Sequence, residues 1–142
     1  MGRSVAAVVD ESTLAWSAGG SITGVITLVG DEWIYPEPGW SDFPVVILSW
    51  WLRGCQRVGS RKGASSEFRF MDGSFSFKAT SLGGKEWQIE CFGGNGKAES
   101  HIQVVSGEDF QKQLRVVAAS IIKTCRERGW KSRDLEELAS YV

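Results

Sequence analysis

One histidine, three cysteines and three prolines are all that 142 residues contain, and each scarcity closes off some chemistry. A lone His101 cannot assemble an imidazole cluster, and no cysteine pair stands at CxxC spacing, so a protein zinc site is not expected. Cys55, Cys91 and Cys125 lie far apart on apolar faces. An odd set of that kind reads as reduced core thiols in a cytoplasmic protein, not as a disulfide framework. Net charge is also nearly missing: 16 basic against 17 acidic residues leave −1. No electrostatic footprint for nucleic acid results. Apolar runs stop well short of the roughly 20 residues that a bilayer span requires. The opening stretch, with one arginine and a patch broken by Asp10 and Glu11, makes a poor secretory signal. It also lacks the Ser or Thr of a myristoylation site.

Catalytic signatures are equally scarce. No GxSxG elbow accompanies His101, which is expected on the outward face of a strand as a solvated histidine. Gly93–Lys97 resembles a phosphate loop only faintly. Cys91 stands where the motif needs glycine, Ala98 where it needs Ser or Thr, and a strand is expected to follow. The Gly59–Gly63 link with Arg61 and Lys62 reads as a solvated connector. Carboxylate pairs for glycosidase-type work can be sought in Asp31, Glu32 and Glu37, or in Glu86 and Glu90. Neither set has a context that would raise a pKa. The expectation is a protein without catalytic residues, cofactor or metal.

What the chain does contain is one globular domain over residues 1–142, with 42% hydrophobic residues and seven tryptophans. It is organised around Ser41–Ser60. At ~100° per residue, Asp42, Ser49, Arg53, Gln56, Arg57 and Ser60 share one narrow polar strip, and apolar residues fill the rest. That pattern predicts a central helix covered on most sides, with Ser41 or Asp42 capping it and Pro44 near its first position. Ser4–Val9 and Ile22–Val29 predict a first strand pair around the Ser17–Ser21 turn, with Leu14 and Trp16 extending its first arm.

Asp72-Gly73 predicts a type I′ hairpin in which Phe70 faces Phe75, Phe68 faces Phe77 and Glu67 faces Lys78. Trp87, Ile89 and Cys91 alternate inward on the next strand, and Ile102 and Val104 are expected inward on the one after it. Ser106 with Asp109 predicts the cap of a long helix through Phe110, Leu114, Val117, Ile121 and Cys125, stopped by Gly129. Ser132 caps a short helix over Arg133–Ser140. The sum is an α+β fold: an antiparallel meander of about five or six strands, with the central and C-terminal helices packed on one face.

The segment Asp31–Asp42 is unusual. Acids (Asp31, Glu32, Glu37, Asp42) alternate with large aromatics (Trp33, Tyr35, Trp40), pinned by Pro36 and Pro38. Trp and Tyr offer wide contact area at low entropic cost, and prolines reduce the cost of ordering a loop. Acid beside aromatic suits a partner surface rich in Arg and Lys. These seven residues are the expected partner-binding set. The competing expectation is that Trp33 and Trp40 fold back over the helix start and plug the core from its edge.

A WSDF entry at Trp40–Phe43, SWWL at Ser49–Leu52, FMDG at Phe70–Gly73 and CRERGW at Cys125–Trp130 lie in an outline running from Trp33 to the C-terminus. The chain thereby resembles the immunity proteins encoded beside bacterial polymorphic and contact-dependent toxins. The resemblance implies a cytoplasmic single-domain binder that neutralises one cognate toxin domain by masking its active site or a nearby surface. Nuclease inhibitors of that kind are often strongly acidic overall, and this chain departs from them in being almost neutral. Two other readings stay open. One is a secretion or folding chaperone that dimerises through an apolar helix face. The other is a small enzyme or ligand-binding domain with a pocket between sheet and helices.

Overall fold

β1 (Ala6–Trp16) and β2 (Ile22–Val29) pair antiparallel around the turn expected at Ser17–Ser21 in the computed structural model, which describes residues 4–92 and 98–142. The ladder runs evenly from Ala6 opposite Val29 to Asp10 opposite Val25, then slips before Ala15 meets Thr23. Short polar side chains hold this irregularity. The Asp10 carboxylate accepts from the Ser12 amide and hydroxyl, and Thr13 Oγ1 accepts the Val25 N–H at 2.8 Å. After β2 the proline-bearing segment is not all loop. β3 (Ile34–Tyr35) and β4 (Ser41–Asp42) both return to β2.

β5 (Ser65–Arg69), β6 (Ser76–Gly83), β7 (Glu86–Phe92) and β8 (Ala98–Ser106) form a second four-stranded sheet in meander order. The fold is α+β as expected. In place of one sheet of about five or six strands, the described residues form eight strands divided between two antiparallel sheets. Phe68 lies opposite Phe77, and Glu67 opposite Lys78, as the sequence predicts. The turn type differs. Among the described residues positive φ is confined to glycines, so Asp72 does not occupy a type I′ position. Its amide is drawn to the Asp42 carboxylate at 3.0 Å, while Gly73 takes φ +73°. The Gly93–Lys97 turn falls outside the described residues.

α1 (Pro44–Val58), α2 (Gly107–Glu127) and α3 (Arg133–Ala139) complete the chain. α1 is covered as expected, burying Val45, Ile47, Leu48, Trp51, Leu52, Cys55 and Val58. Its polar strip shifts: Ser49 is buried and donates to the Val45 carbonyl, while Trp50 reaches solvent. Neither Ser41 nor Asp42 caps it. The cap position is Phe43, without a side-chain hydrogen bond, because Ser41 and Asp42 belong to β4. For α2 the Ser106 hydroxyl accepts the Asp109 N–H at 3.2 Å. At its other end Trp130 N bonds Cys125 O and Gly129 N bonds Arg126 O, each at 3.0 Å. With Gly129 at φ +77° this is a Schellman stop. Ser132 caps α3 through the Leu135 N–H. Among the described residues, no helix is long and apolar enough to cross a membrane.

The core joins α1, α2 and the inner face of the second sheet. Phe68 stacks on Phe77 at 4.8 Å, the Trp51 ring meets Phe77 edge-on at 5.0 Å, and Phe110 closes on both phenylalanines from α2. Trp87, Ile89 and Cys91 point inward as expected. β8 is the correction. Ile102 is 59% exposed and Val104 37%, whereas Gln103 and Val105 are buried. The inward place goes to Gln103 because its amide accepts the Asp31 N–H and donates to the Ser4 carbonyl. One side chain thus satisfies two backbone groups of the N-terminal part of the chain.

Candidate functional site

Between β2 and α1, Gly30–Asp42 spans the junction of the two sheets, and its aromatic and acidic residues divide into anchors and surface. Tyr35 is buried to 1%. Its hydroxyl donates to the Ser76 carbonyl at 3.0 Å and accepts the Ser76 N–H at 3.2 Å, tying β3 to β6. The ring lies edge-on to Phe70 and Phe75. Asp42, at 2%, is an anchor of another kind. Its carboxylate accepts from Trp40 Nε1 at 3.0 Å, Phe43 N at 2.9 Å and Asp72 N at 3.0 Å. A carboxylate holding three N–H groups compensates much of the cost of its own burial.

Trp33 and Trp40 are half-buried and pack against the core. Trp33 lies on Gly30, where a Cβ would come within 2.0 Å of the ring, so no larger residue fits beneath it. Its ring stacks on His101 at 5.0 Å and 10°. His101 is therefore not on the outward strand face. Because β8 is turned over, it meets Trp33 face-on and Tyr35 edge-on, at 6.3 Å. Trp40 meets Phe75 edge-on at 5.0 Å.

What remains at the surface is Asp31, Glu32 and Glu37, the open parts of the two tryptophans, and Ile34, which is 42% exposed. Of the seven residues expected to bind a partner, Tyr35 and Asp42 present no surface to one. They hold the ledge in place. Ile34 was not among the seven, although the alternation along a two-residue strand turns it outward as soon as Tyr35 points in. The ledge is stapled through Asp31 N, Tyr35, Trp40 and Asp42, so its shape is set before any contact is made.

Elsewhere the chemistry is sparse. Among the described residues, no group of three or more His, Cys, Asp or Glu could hold a metal ion. All three cysteines are buried, and no disulfide joins them. Burial pushes the Cys55 thiol up to about 12 and raises that of Cys125, so neither is a thiolate near neutral pH. Glu90 accepts from Gln88 Nε2 at 3.1 Å. The space between the second sheet and the helices is filled by Trp51, Phe68, Phe77, Trp87 and Phe110. Hollows open instead at the surface, one of about 690 Å³ at the α2–α3 junction over Trp130 and Leu135.

Compared with protein-family models, curated proteins and solved structures, the chain matches none of them.

Proposed function

We propose that this chain is a toxin-neutralising protein that binds and blocks a cognate bacterial toxin domain through the ledge formed by Asp31–Trp40. One observation carries the reading. Three carboxylates and an exposed isoleucine stand on a loop whose anchors, Tyr35 and Asp42, are buried and fully engaged. A loop held this way gives up little entropy on binding, and its acids suit a basic partner surface around an apolar centre. The immunity-protein resemblance from Trp33 onward supports the same reading and implies action in the cytoplasm. The almost neutral net charge fits a local patch better than a global mimic of nucleic acid.

The test is a co-purification. The chain is tagged and expressed with the product of the adjacent upstream gene, and a stoichiometric complex is expected, with a neighbour that is toxic alone. The double variant Glu32→Lys, Glu37→Lys should then weaken the complex by at least ~10-fold while the melting temperature stays within about 2 °C of the parent. A harmless neighbour that does not co-elute sinks the proposal, and so does a complex indifferent to both charge reversals.

A further inference from the structure

β5 closes one side of the second sheet, and its backbone can be sorted by direction. Phe70 N bonds Phe75 O at 3.1 Å, and Ser81 N bonds Ala64 O at 2.8 Å. Residues 66, 68 and 70 therefore turn their peptide groups toward β6, as does the carbonyl of Ala64. By the alternation of an antiparallel ladder, Ser65, Glu67 and Arg69 turn theirs to the opposite side. There the Arg69 carbonyl accepts from Trp51 Nε1 at 2.9 Å. The N–H and C=O of Ser65 and of Glu67, and the N–H of Arg69, have no partner among the described residues.

The first sheet treats its edge differently. On β1, Gln113 of α2 both donates to and accepts from the Ala7 backbone, and Arg128 donates to the carbonyls of Leu14 and Glu11. Side chains of α2 close that edge. On β5, among the described residues, a helix side chain reaches the edge only where Trp51 meets the Arg69 carbonyl, and the rest of the edge faces a groove of about 330 Å³. Its far wall is the exposed strip of α1, where Trp50, Arg53 and Arg57 align at i, i+3 and i+7. Trp50 is 37% exposed. Three arginines, Arg53, Arg57 and Arg69, line the groove against a single carboxylate, Glu67, which Arg69 already engages at 2.8 Å. Arg53 is held by Tyr141 and Glu137. The Arg57 guanidinium has no ion pair or hydrogen bond among the described residues. The exposed Arg61 and Lys62 extend the same charge along the link that follows α1.

We propose that this groove takes an extended acidic segment of a protein partner, which adds to the second sheet as a further strand beside β5. The free peptide groups of Ser65 and Glu67 and the free N–H of Arg69 supply the backbone pairing, Arg57 and Arg69 receive the acidic side chains, and Trp50 packs an apolar side chain between them. The surface is distinct from the ledge of β3, and the proposal stands whether or not the ledge binds a toxin.

The probe is a short capped peptide alternating glutamate with valine, added to the full chain while amide hydrogen exchange is followed residue by residue. Exchange at Ser65, Glu67 and Arg69 should slow by at least ~10-fold at saturation, with the even-numbered amides of β5 little changed. The same peptide N-methylated at alternate positions on its pairing edge should lose this effect. Arg57→Glu should weaken binding by ~10-fold, whereas Glu32→Lys should leave it unchanged. Unchanged exchange at the three amides overturns the proposal, as does equal binding of the N-methylated peptide. Arginine-dependent binding of a single-stranded oligothymidylate in place of the peptide overturns it as well, because the groove would then be a phosphate surface.

Discussion

Replacing Asp42 tests whether one buried carboxylate holds the ledge, the start of α1 and the β5–β6 turn together. In Asp42→Ala, Trp40 Nε1, Phe43 N and Asp72 N lose their shared acceptor at once. A hydrogen bond to a charged group contributes roughly 1.5–3 kcal/mol, so the simple sum over three would be roughly 4.5–9 kcal/mol. Two effects reduce it. Trp40 is half-buried and Asp72 exposed, so water reaches part of what is freed. Removing a charge buried to 2% also recovers its desolvation cost. A loss of about 3 kcal/mol remains, equivalent to roughly 10 °C in a domain of this size.

Asp42→Asn keeps the shape but turns an amide NH₂ toward a donor, and should cost about 2 kcal/mol. Urea unfolding followed by circular dichroism, with the denaturant slope checked for constancy, measures both variants. A loss below ~1 kcal/mol for the alanine variant would refute the role assigned to the carboxylate. So would an asparagine variant as stable as the parent.

Three further expectations follow from the packing. Gly54→Ala gains up to about 1 kcal/mol of helix propensity yet should destabilise by ~1–2 kcal/mol in urea, because its Cβ would meet Phe68 Cε2 at 2.9 Å; a stabilised variant would mean that Phe68 yields freely. Hydroxyls of Ser120 and Thr124, helped by Arg128, hold the Glu11 carboxyl below its ordinary range, so the unfolded chain takes up a proton first as the pH falls. The contribution is therefore complete above the unfolded glutamate value of about 4.3 and is lost as pH drops through the lower folded value. Urea midpoints of the parent and Glu11→Gln should converge toward acid pH, and a constant gap would exclude the linkage. Finally, a thiol reagent should label no cysteine in the native protein and all three in denaturant, since each is buried and none is in a disulfide; rapid native labelling of Cys55 would contradict its packing.

Local signals set much of this architecture from the sequence alone. The Phe68–Phe77 register follows from four phenylalanines spaced at period two about a tight turn, and the structure keeps it even though the turn is of another type. Ser106, Gly129 and Ser132 mark helix ends because a hydroxyl acceptor or a left-handed glycine meets backbone needs within a few residues. The acidic–aromatic segment was equally legible as a cluster. Which of its members turn inward was not.

Tertiary structure decided those matters, because the partners come from distant parts of the chain. Tyr35 goes inside to meet Ser76, and Asp42 goes inside to collect the amide of Asp72. Ile102 and Val104 face outward against their own hydrophobicity, since Gln103 is needed inside by Asp31 and Ser4. The division into two sheets has the same origin. Apolar periodicity states that a strand has a buried face, but which strand it lies beside, and which buried polar group must be satisfied across the junction, depends on contacts that no local pattern encodes.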